Sequence, residues 1–159
     1  MSRHMDAFYF DSSTFVKNYI FEDGSAWVNH ILNRPDVLFY TIVLTKVEVI
    51  CAFNRRLLPQ LAHDLSHNFL VDLENKFQVL ELNSKIVDLA MQFGAKYKLR
   101  GYDAIQLASA KLIAQNISAF TPLTFVCADE HLCKSARQAG LNTENPNHHG
   151  AELSSSSIA

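Results

Sequence analysis

A chain of 159 residues with 48% hydrophobic and 19% charged residues has the composition of an ordinary globular domain, which excludes a disordered or fibrous protein. The formal net charge of −2 argues against a protein that coats nucleic acid nonspecifically through positive charge. It does not exclude a nuclease, because bound metal ions can reverse the sign of an acidic pocket locally. The length predicts one domain with a substantial core.

Short apolar segments alternate with helical patterns along the chain. Strands are predicted over Ala7–Phe10, Val37–Tyr40, Phe77–Leu82 and Leu123–Ala128, with a possible short edge strand over Leu141–Thr143. Helices are predicted from the polar cluster 11–14 to about Ile20, from a cap at Ser25 to Asn33, over Leu44–Leu58 and Pro59–Lys76, from a cap at Ser84 to Tyr97, and over Tyr102–Gln115 and Asp129–Ala139. Because helices rather than tight turns separate the strands, the pattern predicts an α/β fold. We expect a three-layer sandwich with a short, mainly parallel sheet of four to five strands.

The domain is predicted to span residues 6–144. Residues 145–159 have little periodicity and are expected to form a flexible C-terminal tail, and residues 1–5 resemble an expression-vector remnant. No secretory pattern or membrane-spanning apolar run is present, and the three cysteines lack zinc-ligand or redox spacing. These features predict a cytoplasmic protein without membrane association.

Four acidic residues lie in or beside apolar segments where the chain passes from one element to the next: Asp11, Glu48, Asp103 and Asp129. An unpaired carboxylate is costly to bury there, and hard divalent cations are suitable counter-charges. Parallel strands joined by right-handed crossovers end at one edge of the sheet, where such folds bind ligands. Mg²⁺ or Mn²⁺ held there can activate water and neutralise charge on a phosphodiester. The set therefore predicts a metal-dependent phosphodiesterase, in which these acids are both catalytic and metal-binding and Ser13 or Thr14 supplies a supporting hydroxyl.

Each acid also has a purely structural interpretation. Asp11 and Asp129 are suited to helix N-caps, and Asp103 in a first helical turn gains from the helix dipole. Glu48 falls at the margin of the apolar stripe of its helix, where it could extend to solvent or pair with Arg55. That stripe is predicted to hold Val43, Val47, Ile50 and Leu57.

Two histidines one helical turn apart, His63 and His67, have the spacing of a zinc-hydrolase motif. The helix phase places them on the polar face, opposite Ala62, Phe69 and Leu73. No third ligand is evident, so the sequence argues against a zinc site.

Four stretches together resemble the PIN domain and, within it, the VapC-type toxins of toxin–antitoxin pairs. They are Tyr9–Lys17, Val47–Arg55, Leu99–Ala108 and Phe125–Asp129, and the likeness extends over nearly the whole of residues 6–141. The resemblance implies a Mg²⁺- or Mn²⁺-dependent endoribonuclease acting on a structured RNA, a homodimer, and inhibition by a cognate VapB-type antitoxin whose tail enters the acidic groove. The positions that match the family's metal-site acids are Asp11, Glu48, Asp103 and Asp129, with Ser13 or Thr14 as the neighbouring hydroxyl.

One departure from the family pattern follows the last acid. Many relatives have a basic residue there, whereas this chain has Glu130 and His131, and Glu130 could be a supplementary metal ligand. Arg55, Arg56 and Arg100 are candidates for contact with RNA or antitoxin. The alternative to an active nuclease is a catalytically silent PIN-like module that binds RNA or protein.

Overall fold

The computed structural model describes residues 5–150, which form one sheet between two layers of helices. The strands are β1 (Asp6–Phe10), β2 (Val37–Ile42), β3 (Phe77–Leu80), β4 (Leu123–Val126) and β5 (Asn142–Glu144). The helices are α1 (Ser12–Tyr19), α2 (Ser25–Leu32), α3 (Thr45–Arg56), α4 (Pro59–Lys76), α5 (Ser84–Tyr97), α6 (Gly101–Asn116) and α7 (Glu130–Gln138), followed by a short 3₁₀ helix at Pro146–His149. The predicted α/β sandwich is confirmed.

All five strands are parallel, in the order β3-β2-β1-β4-β5. The first three strands therefore extend the sheet from β1 to β3 in one direction. The chain then crosses back, so that β4 and β5 lie on the other side of β1. This reversal creates a crevice at the carboxyl ends of β1 and β4, and crevices of this kind hold ligands in open α/β sheets.

Alternate side chains of β1 point into two separate cores. Phe8 and Phe10 belong to a cluster with residues of α1–α4, in which phenylalanine rings pack closely: those of Phe15 and Phe77 lie 4.7 Å apart between centroids. Tyr9 faces the opposite cluster, which contains Phe125 and the apolar side of α6. Each face of the sheet is therefore covered, as the run of apolar residues in the strands predicted.

The caps of two helices differ from those predicted. Gly24, at φ +84°, precedes α2, and Ser25 is its first helical residue. The cap of α5 is Asn83 rather than Ser84, because the Asn83 side chain accepts a hydrogen bond from the Ile86 amide at 3.1 Å. In both helices the predicted cap lies one residue after the observed cap.

The buried face of α3 is also different from the predicted one. Thr45, Val49 and Phe53 are buried, whereas Val47, which we expected in the core, is 52% exposed. Helix α3 packs against both α1 and α4, so its inward face is set by those two neighbours. The prediction was therefore wrong for Val47, whereas Val43, Ile50 and Leu57 are partly buried against the core. Val47 and Glu48 line a cavity instead.

The chain beyond β5 is ordered further than we expected. Residues 145–150 include the 3₁₀ helix, and Asn145 and Pro146 are buried. The prediction of a flexible tail beginning at residue 145 was therefore wrong for this segment. Residues 151–159, and residues 1–4 of the suspected vector remnant at 1–5, lie outside the described part of the chain. Within residues 5–150, no helix combines the length and apolar character needed to cross a membrane.

Candidate active site

Asp11 lies directly after β1, at the crevice between β1 and β4. Its amide donates to the Val126 carbonyl at 3.2 Å, which fixes it beside the end of β4. The side chain is 4% exposed and caps α1, accepting a hydrogen bond from the Thr14 amide at 3.0 Å. The capping role is therefore present, but it uses one carboxylate oxygen and leaves the buried charge without a cation among the described residues.

Two hydroxyls hold the Asp11 carboxylate in place. The Ser13 hydroxyl lies 2.7 and 2.8 Å from the two Asp11 oxygens and accepts a hydrogen bond from the Ala128 amide at 3.0 Å. The buried Thr14 hydroxyl lies 2.9 Å from Asp11 Oδ1 and 2.8 Å from the Val126 carbonyl. Both predicted supporting residues thus contact Asp11, and they connect it to the segment that leads to Asp129.

Glu48 is positioned by Gln106, a residue that the sequence analysis did not single out. Gln106 Nε2 donates to Glu48 Oε1 and to the Thr45 hydroxyl, each at 2.9 Å. Its Oε1 accepts a hydrogen bond of 2.6 Å from the buried Tyr9 hydroxyl. Because Gln106 is 2% exposed and its amide groups have partners on both sides, it holds the carboxylate at a defined place above the sheet.

A signal for Gln106 was present in the sequence. It lies one turn after Asp103 on a helix whose other inward residues are apolar or small. A buried amide on such a helix needs a polar partner, and the acids of the site were the available ones.

The carboxylates influence one another electrostatically. Burial raises the pKa of Asp11 from 3.8 to about 7, and the charge of Glu48 adds to this effect. Burial also raises the pKa of Glu48, with a further contribution from Asp103. The pKa of Asp103 is raised first by burial and then by the charge of Asp129, while Arg100 and His131 oppose the shift. The four predicted acids therefore form a chain of neighbouring negative groups.

Asp129 is the most exposed of the four acids. It caps α7, since its Oδ1 accepts a hydrogen bond of 2.7 Å from the Leu132 amide. Asp103 is half-buried in the first turn of α6. These two acids lie toward the solvent side of the site, and Asp11 lies at its buried end.

The donor chemistry fits a hard divalent cation, but the site is not a closed cage. Carboxylate and water oxygens are ligands that Mg²⁺ and Mn²⁺ prefer. Within residues 5–150, however, no three side chains of His, Cys, Asp or Glu converge as a ready metal-binding group. Mg²⁺ typically keeps several waters and uses only one or two protein carboxylates, so an open arrangement is compatible with it.

A cavity of about 520 Å³ is lined by Glu48 and by residues next to Asp11 and Asp129 along the chain, Ser12, Ser13 and Ala128. Glu48 lines one end of it beside Ser13 and Ala128, and Arg55, Arg56 and Glu22 line it elsewhere. Its remaining walls include Val47 and Cys51 of α3, Val16 of α1 and Tyr102 of α6. The exposed face of α3 thus carries both Glu48 and Arg55 into the same cavity.

The structure also shows the surroundings of the arginines, Glu130 and the two histidines that were candidates from the sequence. Arg56 pairs with Glu22 at 2.7 Å, whereas Arg100 immediately precedes α6. The Oε1 atom of Glu130 accepts hydrogen bonds from Asn145 and His148. The side chain of His63 is 79% exposed and His67 is also exposed, which confirms their predicted position on the polar face of α4.

Replacing Asp103 with Asn is expected to raise the stability of the metal-free protein. The substitution removes a charge whose pKa is raised by burial and by Asp129, at the loss of a small helix-dipole contribution. We expect Tm to rise by roughly 2–4 °C, the shift that about 1 kcal/mol produces in a domain of this size. Thermal melting in chelator measures it. A lower Tm would mean that the favourable interaction of Asp103 with the helix dipole dominates at this position.

Comparison with known proteins assigns the chain to a family. Residues 8–137 match the family model described as PIN domain. No curated protein gives a significant match to the chain.

Three solved structures illustrate the similarity of fold. FitAcB from Neisseria gonorrhoeae has a TM-score of 0.66 at 17% identity, covering 89% of this chain and 99% of its own. VapBC2 from Rickettsia felis, bound to a DNA fragment from its promoter, has a TM-score of 0.60 at 12% identity, covering 87% and 98%. VapBC-5 from Mycobacterium tuberculosis, a member of the VapBC family of toxin–antitoxin systems, has a TM-score of 0.58 at 15% identity, with the same coverage.

The family match spans the strands and helices that carry all four acids, and the five-stranded parallel sheet agrees with it. PIN domains are generally nucleases and usually use divalent metal ions. The chain, whose Asp11 follows β1 and whose Asp129 lies in the loop after β4, belongs to the PIN domain family.

Proposed function

We propose that this protein is a Mg²⁺- or Mn²⁺-dependent endoribonuclease and the toxin of a VapBC-type toxin–antitoxin pair. The observation that supports this most strongly is Asp11. It is buried at the crevice of the sheet, its pKa is raised to about 7, and no cation contacts it within residues 5–150. A buried acid kept without a counter-charge weakens the fold, which favours a functional reason for its presence.

Asp11, Glu48, Asp103 and Asp129 are the residues proposed to hold the ion, with Asp11 and Glu48 the most firmly positioned. When bound, a divalent ion would supply charge neutralisation for the phosphodiester and activation of the attacking water. Gln106 keeps Glu48 in its orientation, and Ser13 and Thr14 keep Asp11 in its orientation. These contacts supply the preorganisation that electrostatic catalysis needs.

The cavity beside the acids is the proposed path of the RNA. Arg55 has no ion-pair partner within the described residues and lies about two turns along α3 from Glu48, so it is available to a phosphate group. Tyr102, which is 49% exposed, offers an aromatic surface on which a base can stack. Arg100, close to Asp103, is a second candidate for backbone contact.

The proposed protein partner is an antitoxin, which would bind in the same cavity. A VapB-type antitoxin could neutralise the acids by inserting a basic tail into the cavity, in keeping with the toxin–antitoxin complexes among the similar structures.

A homodimer is also proposed, and the exposed Val87 and Met91 on α5 mark the surface for it. The free thiols of Cys51, Cys127 and Cys133 fit the reducing environment of the cytoplasm, where we propose the protein acts.

Metal binding can be tested by thermal melting with increasing Mn²⁺ or Mg²⁺. Binding to the native state at 100 times Kd should stabilise the protein by about 2.7 kcal/mol. The Asp11→Asn variant should respond much less. Glu74→Gln removes an exposed acid on α4 and should behave like the wild type, which controls for nonspecific ion effects.

The second candidate function is a silent module that binds RNA or protein. It is favoured by one observation, namely that no three metal-ligating side chains converge within residues 5–150. In that case Tm should not change with either ion, and no RNA cleavage should follow metal addition. Melting and cleavage measured on the same preparation decide between the two functions.

A further inference from the structure

The segment that follows α7 returns to the loop that carries Asp129. The Cys127 amide donates to the Glu144 carbonyl at 3.1 Å, where β5 pairs with the end of β4. The chain then turns at Asn145, which is 3% exposed, into the short 3₁₀ helix. We call residues 144–149 the C-terminal clamp.

Two side chains of the clamp converge on Glu130, the residue after Asp129. Asn145 Nδ2 donates to Glu130 Oε1 at 2.9 Å, and His148 Nε2 lies 2.6 Å from the same oxygen. Asn145 is itself oriented, because its Oδ1 accepts a hydrogen bond of 2.9 Å from the Asn147 amide. Since Glu130 is exposed, these bonds are individually weak, but their buried partner Asn145 is fixed by its surroundings.

The other side of the clamp is anchored on α2. The His149 ring stacks on Trp27 with 4.4 Å between centroids and 6° between planes, and His149 Nε2 lies 2.8 Å from Glu144 Oε2. Pro146 packs so closely on Gly24 that a Cβ at that glycine would lie 2.6 Å from the Pro146 backbone. The clamp is thus held by contacts that do not involve Glu130.

We propose that the C-terminal clamp positions Asp129 through Glu130. Asp129 is exposed, and within residues 5–150 its side chain is held by one bond, to the Leu132 amide at the start of α7. The placement of that helix start therefore determines where the carboxylate points, and Glu130 attaches the helix start to the clamp. Glu130 is then a positioning residue and not a metal ligand. This inference rests on the proposed function, because it assigns Asp129 to the metal site.

The family match ends at residue 137 and therefore does not extend over the clamp. A structural role alone would be to stabilise α7, which would change Tm but leave metal affinity untouched. The experiment must therefore measure metal affinity directly.

Titration calorimetry with Mn²⁺ tests the proposal in the full chain. Glu130→Ala should weaken Mn²⁺ binding about 3- to 10-fold, and Asn145→Ala should act in the same direction. Glu130→Gln keeps an oxygen acceptor for Asn145 and His148 and should stay within about twofold of the wild type. Glu74→Ala, an exposed acid on α4, is the matched control and should have no effect.

A double-mutant cycle separates positioning from other causes. In an Asp129→Asn background, Glu130→Ala should produce no further loss of Mn²⁺ affinity, because the residue through which it acts has been altered. Equal losses of Mn²⁺ affinity in Glu130→Gln and Glu130→Ala would show that the charge of Glu130 matters and not its hydrogen bonds. That result would overturn the proposal. Wild-type affinity in Glu130→Ala would also overturn it.

Hydrogen exchange gives a readout that needs no metal. The Leu132 amide, which donates to Asp129, should exchange at least about fivefold faster in Glu130→Ala and at the wild-type rate in Glu74→Ala. If the wild type binds no Mn²⁺, the proposed function fails, and the exchange rate then decides the clamp by itself. An unchanged exchange rate in Glu130→Ala would overturn the proposal that the clamp positions Asp129 through Glu130.

Discussion

Replacing Asp11 with Asn is expected to lower the rate of RNA cleavage by about 100-fold or more while the fold is retained. The loss follows from removing the most buried charge of the acidic set, and it is of the order found when one preorganised electrostatic group is deleted. The fold should survive because Asn caps helices as well as Asp does. Its carbonyl oxygen can still accept from the Thr14 amide and from the nearby hydroxyls.

Cleavage of a defined RNA in Mg²⁺, followed by gel electrophoresis, measures this effect, and circular dichroism checks the fold. His63→Ala is the control, since His63 lies on the polar face of α4 and its side chain is 79% exposed. Its cleavage rate should match the wild type. Activity of Asp11→Asn within a few-fold of the wild type would contradict the metal-site assignment. A large loss in His63→Ala would point to the zinc alternative instead.

The free energy of unfolding of the metal-free protein should fall as pH rises from about 4 to about 7. The pKa of Asp11 is 3.8 when unperturbed and about 7 in the folded protein, so the native state binds the proton more tightly. Between these values the native state holds more protons than the unfolded state, and stability therefore decreases with pH. The full difference corresponds to roughly 4 kcal/mol and is reached above about pH 7.

Urea unfolding at several pH values, compared between the wild type and Asp11→Asn, isolates this contribution. The variant should be the more stable of the two above about pH 7, and the difference should disappear near pH 4. Asp64→Asn alters an exposed acid of α4 and should follow the wild type throughout. Parallel curves for the wild type and Asp11→Asn would mean that Asp11 keeps an ordinary pKa in the fold. Mn²⁺ added at high pH should reduce the difference, because the ion replaces the proton as the counter-charge.

The order of the elements was predictable because each depends on residues close together in the chain. The apolar run before Asp11 predicts β1, and the polar cluster after it predicts the start of α1; both are confirmed. The same local reasoning placed Asp11 and Asp129 at helix starts after strands. The face of α3 was not predictable in this way, since Val47 and Val49 are equally apolar, and packing against α1 and α4 decides which is buried.

The sequence by itself determined the alternation of strands and helices, the likeness to the PIN domain, and the candidate acids at the ends of elements, because these depend on local spacing. Only the tertiary structure decided how the acids are held. Gln106 forms a hydrogen bond with Tyr9, which is 97 residues away in the sequence, and Ser13 forms one with the Ala128 amide, 115 residues away. It also decided that residues 145–149 pack against Glu130 and Trp27. Burial and pKa arise from such distant neighbours, since desolvation depends on everything that surrounds a group and not on its place along the chain.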